Sequence, residues 1–268
     1  MRAQRTQELV MDKALIRRSF EQAASHYNQF TSLQRTIGDR LMSGNVRPIG
    51  EEGNVLDIGA GTGYLTDKIF KAMPSANVVA LDLSVGMLRQ TRANVTQERL
   101  RVVAADADKL SVRPASLDKV FSNLAFQWCS NLSITFNESY AALKPKGQFV
   151  FATFGPNTLR ELKASWQSAD TVTHVNEFVD HKTIEENLKA SGFNNVMVET
   201  EDIVLYYESP KQLMLELKGM GAHNINSDRQ HGLTGVGAYK TMINSYEKLR
   251  EGNGIPATFQ AIYAYANK

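Results

Sequence analysis

The stretch Val55–Leu65, VLDIGAGTGYL, decides the fold. An apolar run carrying one acid, Asp57, feeds straight into three alternating glycines, Gly59, Gly61 and Gly63. Buried strands read as apolar runs of this kind, and glycine allows a sharp turn with close approach of backbone to a ligand. A strand, a glycine loop and a following helix form a cradle for a nucleotide-bearing cofactor. The spacing is G-x-G-x-G, whereas dinucleotide sites favour G-x-G-x-x-G, which counts against a dehydrogenase.

Working outward, strand and helix signals alternate. The first strand is expected over Asn54–Ile58, and its helix runs on to Met73, where Pro74 stops it. NVVALDL (77–83) is a second strand, followed by a helix from Ser84. RVVAAD (101–106), KVFSNL (119–124) and QFVFATF (148–154) are the third to fifth, the last after the turn KPKG. Helices are expected in NTLRELKASWQSAD (157–170) and DHKTIEENLKASGF (180–193), and strands in 194–207 and 257–267. The fold class is therefore α/β, a doubly wound, mostly parallel, Rossmann-like seven-stranded sheet. Residues 9–43 read as helical, and residues 1–50 form an N-terminal helical segment ahead of the sheet. A single domain spans 1–268, with 54–207 and 257–268 as its core. Residues 208–256 are too long for a hairpin connection and read as a helical lid inserted between the last two strands.

Composition narrows the function. The 268 residues carry a net charge of +2, with 43% hydrophobic and 22% charged residues, as in ordinary soluble proteins. No apolar run reaches the roughly 18 residues of a membrane span, and the N-terminus lacks a secretory apolar core, so the expected address is the cytoplasm, with no membrane partner. One cysteine, Cys129, excludes an intrachain disulfide and a thiolate-rich metal site, and no metal is expected. Cys129 itself reads as a buried thiol. The basic residues of the first twenty positions, Lys13, Arg17 and Arg18 among them, read as a solvated helix face, with an acidic docking partner as the alternative. No basic stripe points to nucleic acid.

The ends of the next two strands add polar groups. Asp82 closes the second strand where a carboxylate accepts two ribose hydroxyls. In AADAD, the Asp106 carboxylate suits an exocyclic adenine amine and the Ala107 amide a ring nitrogen. Here the chain resembles the class I S-adenosylmethionine-dependent methyltransferases. VLDIGAGTG, LDLS, DADKL, FSNLAFQW and LKPKG, between Val55 and Phe154, carry the likeness. The resemblance implies S-adenosyl-L-methionine as cofactor. It places Gly59, Ala60, Gly61 and Gly63 around the methionine moiety, Asp82 and Leu83 at the ribose and adenine, and Asp106 and Ala107 at the adenine edge. Asn123 and Leu124 would line the floor near the sulfonium.

The acceptor side is expected from the N-terminal helices and the lid. AASHYNQF brings His26, Tyr27 and Phe30 close together, and Tyr27 is either a positioning hydroxyl or core packing. Trp128 and Asn131 stand after the fourth strand, at the mouth of the site, although Trp128 also suits the core. The glycine-rich LKGMGAHNINSDRQHGLTG makes a poor core and a better mobile loop, bearing Lys218, His223, Asn224, Arg229 and His231.

AASHYNQF with LQR, FSNLAFQWCSNL and ELKGMGAHN extend the likeness over nearly the whole chain. They resemble the malonyl-acyl-carrier-protein O-methyltransferases. That resemblance implies methylation of the free carboxylate of malonyl-acyl carrier protein, a phosphopantetheine-linked substrate, at the start of pimeloyl synthesis for biotin. It makes His26, Trp128, Lys218, His223 and Arg229 candidates for substrate binding, with Tyr27 positioning and no general base required. An acidic carrier protein would meet Arg17, Arg18, Lys218 and Arg229. The enzyme is expected to be a monomer. The alternatives are a methyltransferase of another small acid or a quinone, and a non-catalytic cofactor-binding partner.

Overall fold

A computed structural model describes residues 12–48, 52–219 and 235–268. Helix α1 (Lys13–Ala23) opens under an Asp12 cap, whose carboxylate accepts the Ala14 and Leu15 amides. A 3-10 turn over Tyr27–Phe30 leads to α2 (Ser32–Ser43). The single helical run expected over 9–43 is thus two helices with a break. Ser25, His26 and Asn28 are weak helix formers, and Ser25 and His26 bond each other through their side chains.

The sheet then forms from β1 (Asn54–Ile58), β2 (Asn77–Asp82), β3 (Leu100–Ala104), β4 (Leu117–Asn123), β5 (Leu143–Phe154), β6 (Asn194–Tyr207) and β7 (Ile255–Asn267). Its spatial order is β3-β2-β1-β4-β5-β7-β6. The first five strands are parallel, and β7 enters antiparallel between β5 and β6. Helices α3 (Tyr64–Ala72), α4 (Val85–Asn94), α5 (Leu132–Ala142), α6 (Arg160–Gln167) and α7 (His181–Ala190) connect them.

Two strands also depart from the sequence pattern. β5 reaches back to Leu143, passing through Lys146 at φ +67 and a register shift against β4, so KPKG bends the strand without preceding it. β3 ends at Ala104, and Asp106 stands in the turn beyond.

Alternate residues of each strand feed opposite cores, as the two-residue period of a strand requires. On one face Val55, Val78, Phe121 and Val150 pack against Leu33, Ile37 and Leu41 of α2 and Ile69 of α3. On the other, Leu56, Ile58, Val120, Phe149 and Phe151 meet Phe136 of α5 and Ile184 and Leu188 of α7. Phe136 lies with its ring centroid 5.3–6.0 Å from Phe126, Phe149 and Phe151 and is fully buried. Truncating such a ring to alanine costs about 3–5 kcal/mol.

Between β6 and β7 lie α8 (Pro210–Gly219) and α9 (Val236–Glu247). Both are anchored: Leu213, Met242 and Tyr246 are fully buried in the first core, and the Tyr246 hydroxyl donates to the Pro256 carbonyl at 2.9 Å.

Candidate active site

The carboxyl ends of β1 to β4 converge where the strand order reverses, between β1 and β4, the usual ligand crevice of such sheets. The pocket there holds about 670 Å3 of space free of protein atoms, its open mouth included.

The glycine loop forms one wall. Gly59 (φ +71) and Ala60 both donate their amides to the Leu81 carbonyl, at 2.7 and 3.0 Å, which folds the loop back onto β2. Gly61 (φ +57) donates to Asp82 Oδ2 at 2.9 Å, and the Ser84 amide donates to Asp82 Oδ1 at 2.8 Å. Burial raises the Asp82 pKa, while the amides of Ser84 and Gly61 oppose that shift. The loop is pinned from outside by Thr91 Oγ1 on the Gly61 carbonyl (2.7 Å) and Asn94 Nδ2 on the Thr62 carbonyl (2.9 Å). Gly63 does a different job from its neighbours. At φ +90 it precedes α3, and a Cβ there would sit 3.2 Å from Thr91 Cα, so this glycine lets α3 and α4 approach. Among the loop residues, Gly59 and Gly61 line the pocket, whereas Ala60 and Gly63 support it.

Leu83, Asp106, Ala107, Asn123 and Leu124 also line the pocket. Asn123 Nδ2 donates to the Gln34 carbonyl at 2.9 Å, while its buried Oδ1 has no hydrogen-bond partner. Leu124 is held at φ +54. Asp57, at the heart of the opening motif, is fully buried behind the loop and accepts from Thr66 Oγ1 at 2.6 Å. Its other oxygen is unpartnered, and burial pushes its pKa up to about 7.

Tyr27 stands across from the loop. A Cβ built on Gly61 would just touch Tyr27 Cε1, at 4.0 Å, so the ring packs about one methyl's thickness from the glycine at the pocket wall. Burial raises the phenol well above its ordinary pKa, and the Asp82 charge adds to this, so the hydroxyl stays protonated. Trp128 lines the pocket, half-buried, with its ring edge-on to Phe20 at 5.5 Å. Cys129 also lines it, with burial pushing its thiol up to about 12, far from a thiolate nucleophile.

Other expected residues sit elsewhere. His26 is exposed, bonded to Ser25, and outside the pocket lining. Asn131 caps α5, accepting the Ser133 and Ile134 amides, so its side chain is spent on the helix. Lys218 is exposed on α8. His223, Asn224, Arg229 and His231 lie outside the described residues, as does the side chain of Phe30. Among the described residues, no group of three or more acidic, histidine or cysteine side chains converges as a metal site.

The sequence reading missed one wall. Lys13, Ile16 and Phe20, on one face of α1, roof the pocket with Met87 of α4 beside them. Lys13 bonds Asp106 Oδ1 at 3.0 Å, Asp108 Oδ2 at 2.8 Å and the Trp128 carbonyl at 3.1 Å. Burial would lower its pKa, but the bonds to Asp108 and Asp106 outweigh that and leave it raised. The i, i+4 spacing of Ile16 and Phe20 marks the buried face of α1 in the sequence, but nothing in it tells Lys13 from a solvated lysine.

A methyltransferase-domain family model matches residues 56–151. The malonyl-[acyl-carrier protein] O-methyltransferase of Nitrosospira multiformis is 39% identical, the match covering 96% of this chain and 90% of that protein. The protein of the same name from Gallionella capsiferriformans is 35% identical over 97% and 92% of the two chains. The chain belongs to the malonyl-[acyl-carrier protein] O-methyltransferase family. Solved methyltransferases share the fold of this family member. One is the methyltransferase of Haloferax volcanii in complex with its Trm112 activator, with TM-score 0.59, 19% identity, and 94% and 96% of the chains covered. Another is phosphoethanolamine N-methyltransferase 2 of Haemonchus contortus with S-adenosyl-L-methionine, with TM-score 0.58, 20% identity, and 92% and 57% covered. The matched domain, 56–151, takes in the glycine loop and the ends of β2, β3 and β4 that line the pocket.

Proposed function

We propose that this methyltransferase uses S-adenosyl-L-methionine to methylate the free carboxylate of a malonyl group carried on acyl carrier protein, yielding the methyl ester that primes pimeloyl synthesis for biotin. The observation that carries the reading is the convergence of the Gly59–Gly61 cradle, Asp82, and Asp106 with Ala107 on one pocket. The residues fit such a cofactor: Gly59 and Gly61 present bare backbone to the pocket, Asp82 has acceptor capacity for hydroxyls, and the orphaned Asn123 Oδ1 waits at the floor. Gly59 and Gly61 would flank the methionine moiety with Ala60 and Gly63 supporting them, Asp82 and Leu83 would hold the ribose and adenine, and Asp106 and Ala107 the adenine edge. When bound, the cofactor supplies a methyl group on a positively charged sulfur.

A carboxylate acceptor is ionised at neutral pH, so the protein need only align it in line with the methyl and exclude water. Tyr27, protonated and beside the loop, suits a donor that orients one reactant. Trp128 and Phe20 shield the pocket from solvent. Arg17 and Arg18, exposed on α1, and Lys218 on α8 offer positive charge to an acidic carrier protein. The enzyme works in the cytoplasm as a monomer.

The test is the intact mass of malonyl-acyl carrier protein after incubation with enzyme and S-adenosylmethionine, with the acetyl form as control. A gain of one methylene on the malonyl form alone is expected. No gain, with cofactor binding intact, overturns the acceptor assignment and leaves small acids and quinones to be tried.

A further inference from the structure

Helix α1 is tied across the pocket at both ends. At its start, the Lys13 ammonium has three hydrogens and three acceptors: Asp106 Oδ1, Asp108 Oδ2 and the Trp128 carbonyl. Toward its end, Glu21 Oε2 accepts from Ser84 Oγ at 2.7 Å and from the Gly86 amide at 2.8 Å. Between the ties, Ile16 is 2% exposed and Phe20 packs edge-on against Trp128. Asp106 and Ser84 follow the two strand ends, β3 and β2, that line the nucleoside half of the pocket. The roof is therefore fastened to the same turns that would hold the ligand.

The chemistry at Asp106 is specific. The bonds to its carboxylate from Lys13 Nζ and from the Asp108 amide both fall on Oδ1. Oδ2 keeps its capacity to accept a donor such as an aromatic amine. Lys13 thus holds Asp106 oriented while closing the roof above it.

We propose that Lys13 is a positioning residue of the cofactor site, whose bonds to Asp106, Asp108 and Trp128 latch α1 over the adenosine end, so that cofactor entry and release require the latch to open. This rests on the reading of Asp106 as the adenine-edge acceptor. Docking of α1 and binding of the cofactor are then linked: each stabilises the other by the same factor. Charge-assisted bonds to a partly buried carboxylate are among the stronger ones, so their loss should be visible in affinity.

The test uses the full chain with S-adenosylhomocysteine as probe, read by calorimetry and by stopped-flow fluorescence of the tryptophans. Lys13→Met is expected to weaken binding about tenfold, mainly through faster release, while Lys13→Arg, which keeps the charge and several donors, recovers most of the loss. In steady state the KM for cofactor rises and the KM for the acceptor does not, a split that general destabilisation would not produce. Amide exchange of residues 13–23 in the unmodified enzyme is expected to slow on adding the probe. That measurement stands even if the methionine variant folds poorly. Exchange unaffected by the probe, or a folded methionine variant with affinity and release within twofold of the original, overturns the latch. Failure of the unmodified enzyme to bind the probe at all overturns the cofactor reading itself, and the latch with it.

Discussion

The Gly61 amide and the Asp82 carboxylate are joined at 2.9 Å, which makes the glycine loop and the acid ending β2 one unit. Asp82 spends one lone pair on the loop and one on the Ser84 amide, and keeps others for a ligand. Asp82→Ala should therefore weaken S-adenosylhomocysteine binding by about tenfold or more, through lost hydroxyl bonds and a loosened loop. Calorimetry checks the first effect and thermal unfolding the second. Unchanged affinity would remove Asp82 from the site.

The glycines separate stability from binding. At Gly59 a methyl would fall inside the Cβ of Ala125, which has no flexible end to swing away, and the backbone is at φ +71. Gly59→Ala should cost about 3 kcal/mol, combining overpacking with left-handed strain. At Gly61 the φ of +57 imposes about 1 kcal/mol of strain, but the methyl enters the pocket space. Gly61→Ala should unfold in urea near the original midpoint yet lose cofactor affinity. A Gly61→Ala protein that binds as tightly as the original would mean the cradle lies elsewhere.

Much of this frame was legible because it is local. The spans Asn54–Ile58 and Asn194–Tyr207 are the strands themselves, since apolar runs bounded by turn residues define their own ends. Ser84 was legible as a helix start, and it caps α4 through the Met87 amide. Lys13 was not. Its partner Asp106 is 93 residues away, and a basic residue on an amphipathic helix looks the same in sequence whether it is solvated or latched. Asn131 shows the reverse error: an asparagine before a helical run is first a cap, and its side chain accepts two amides at the start of α5.

Tyr27 tests how the acceptor is activated. Its phenol is held protonated by burial and by the Asp82 charge, so it can orient a reactant but cannot serve as a base near neutral pH. Tyr27→Phe should lower kcat by about fivefold, the worth of one hydrogen bond, with cofactor affinity little changed. Between about pH 6 and 9 both enzymes should show flat kcat, because a carboxylate acceptor needs no deprotonation there. A rising limb present in the original and lost in Tyr27→Phe would assign the tyrosine a proton-transfer role and contradict this account.

Asp57 should leave a signature in stability against pH. Folded, its carboxyl is raised to about 7 by burial, whereas in the unfolded chain it titrates near ~4. Between those values the native state binds more protons than the unfolded state, so the contribution to stability falls as pH rises. It is fully present below about pH 4 and lost as pH climbs through about 7. Asp57→Asn keeps an acceptor for Thr66 Oγ1 and carries no charge at any pH, so it removes this dependence. The unfolding free energy of the original minus that of the variant, from urea titrations of the cofactor-free proteins, should decline by roughly 1 kcal/mol per pH unit from about pH 5 to 7. Carboxylates whose pKa is lowered by partners, such as Asp108 with Lys13, act with the opposite sign but cancel in the difference. A difference that stays level over that range would show that Asp57 is ionised in the folded protein at its ordinary value, and that the loop tolerates a buried charge behind Gly59.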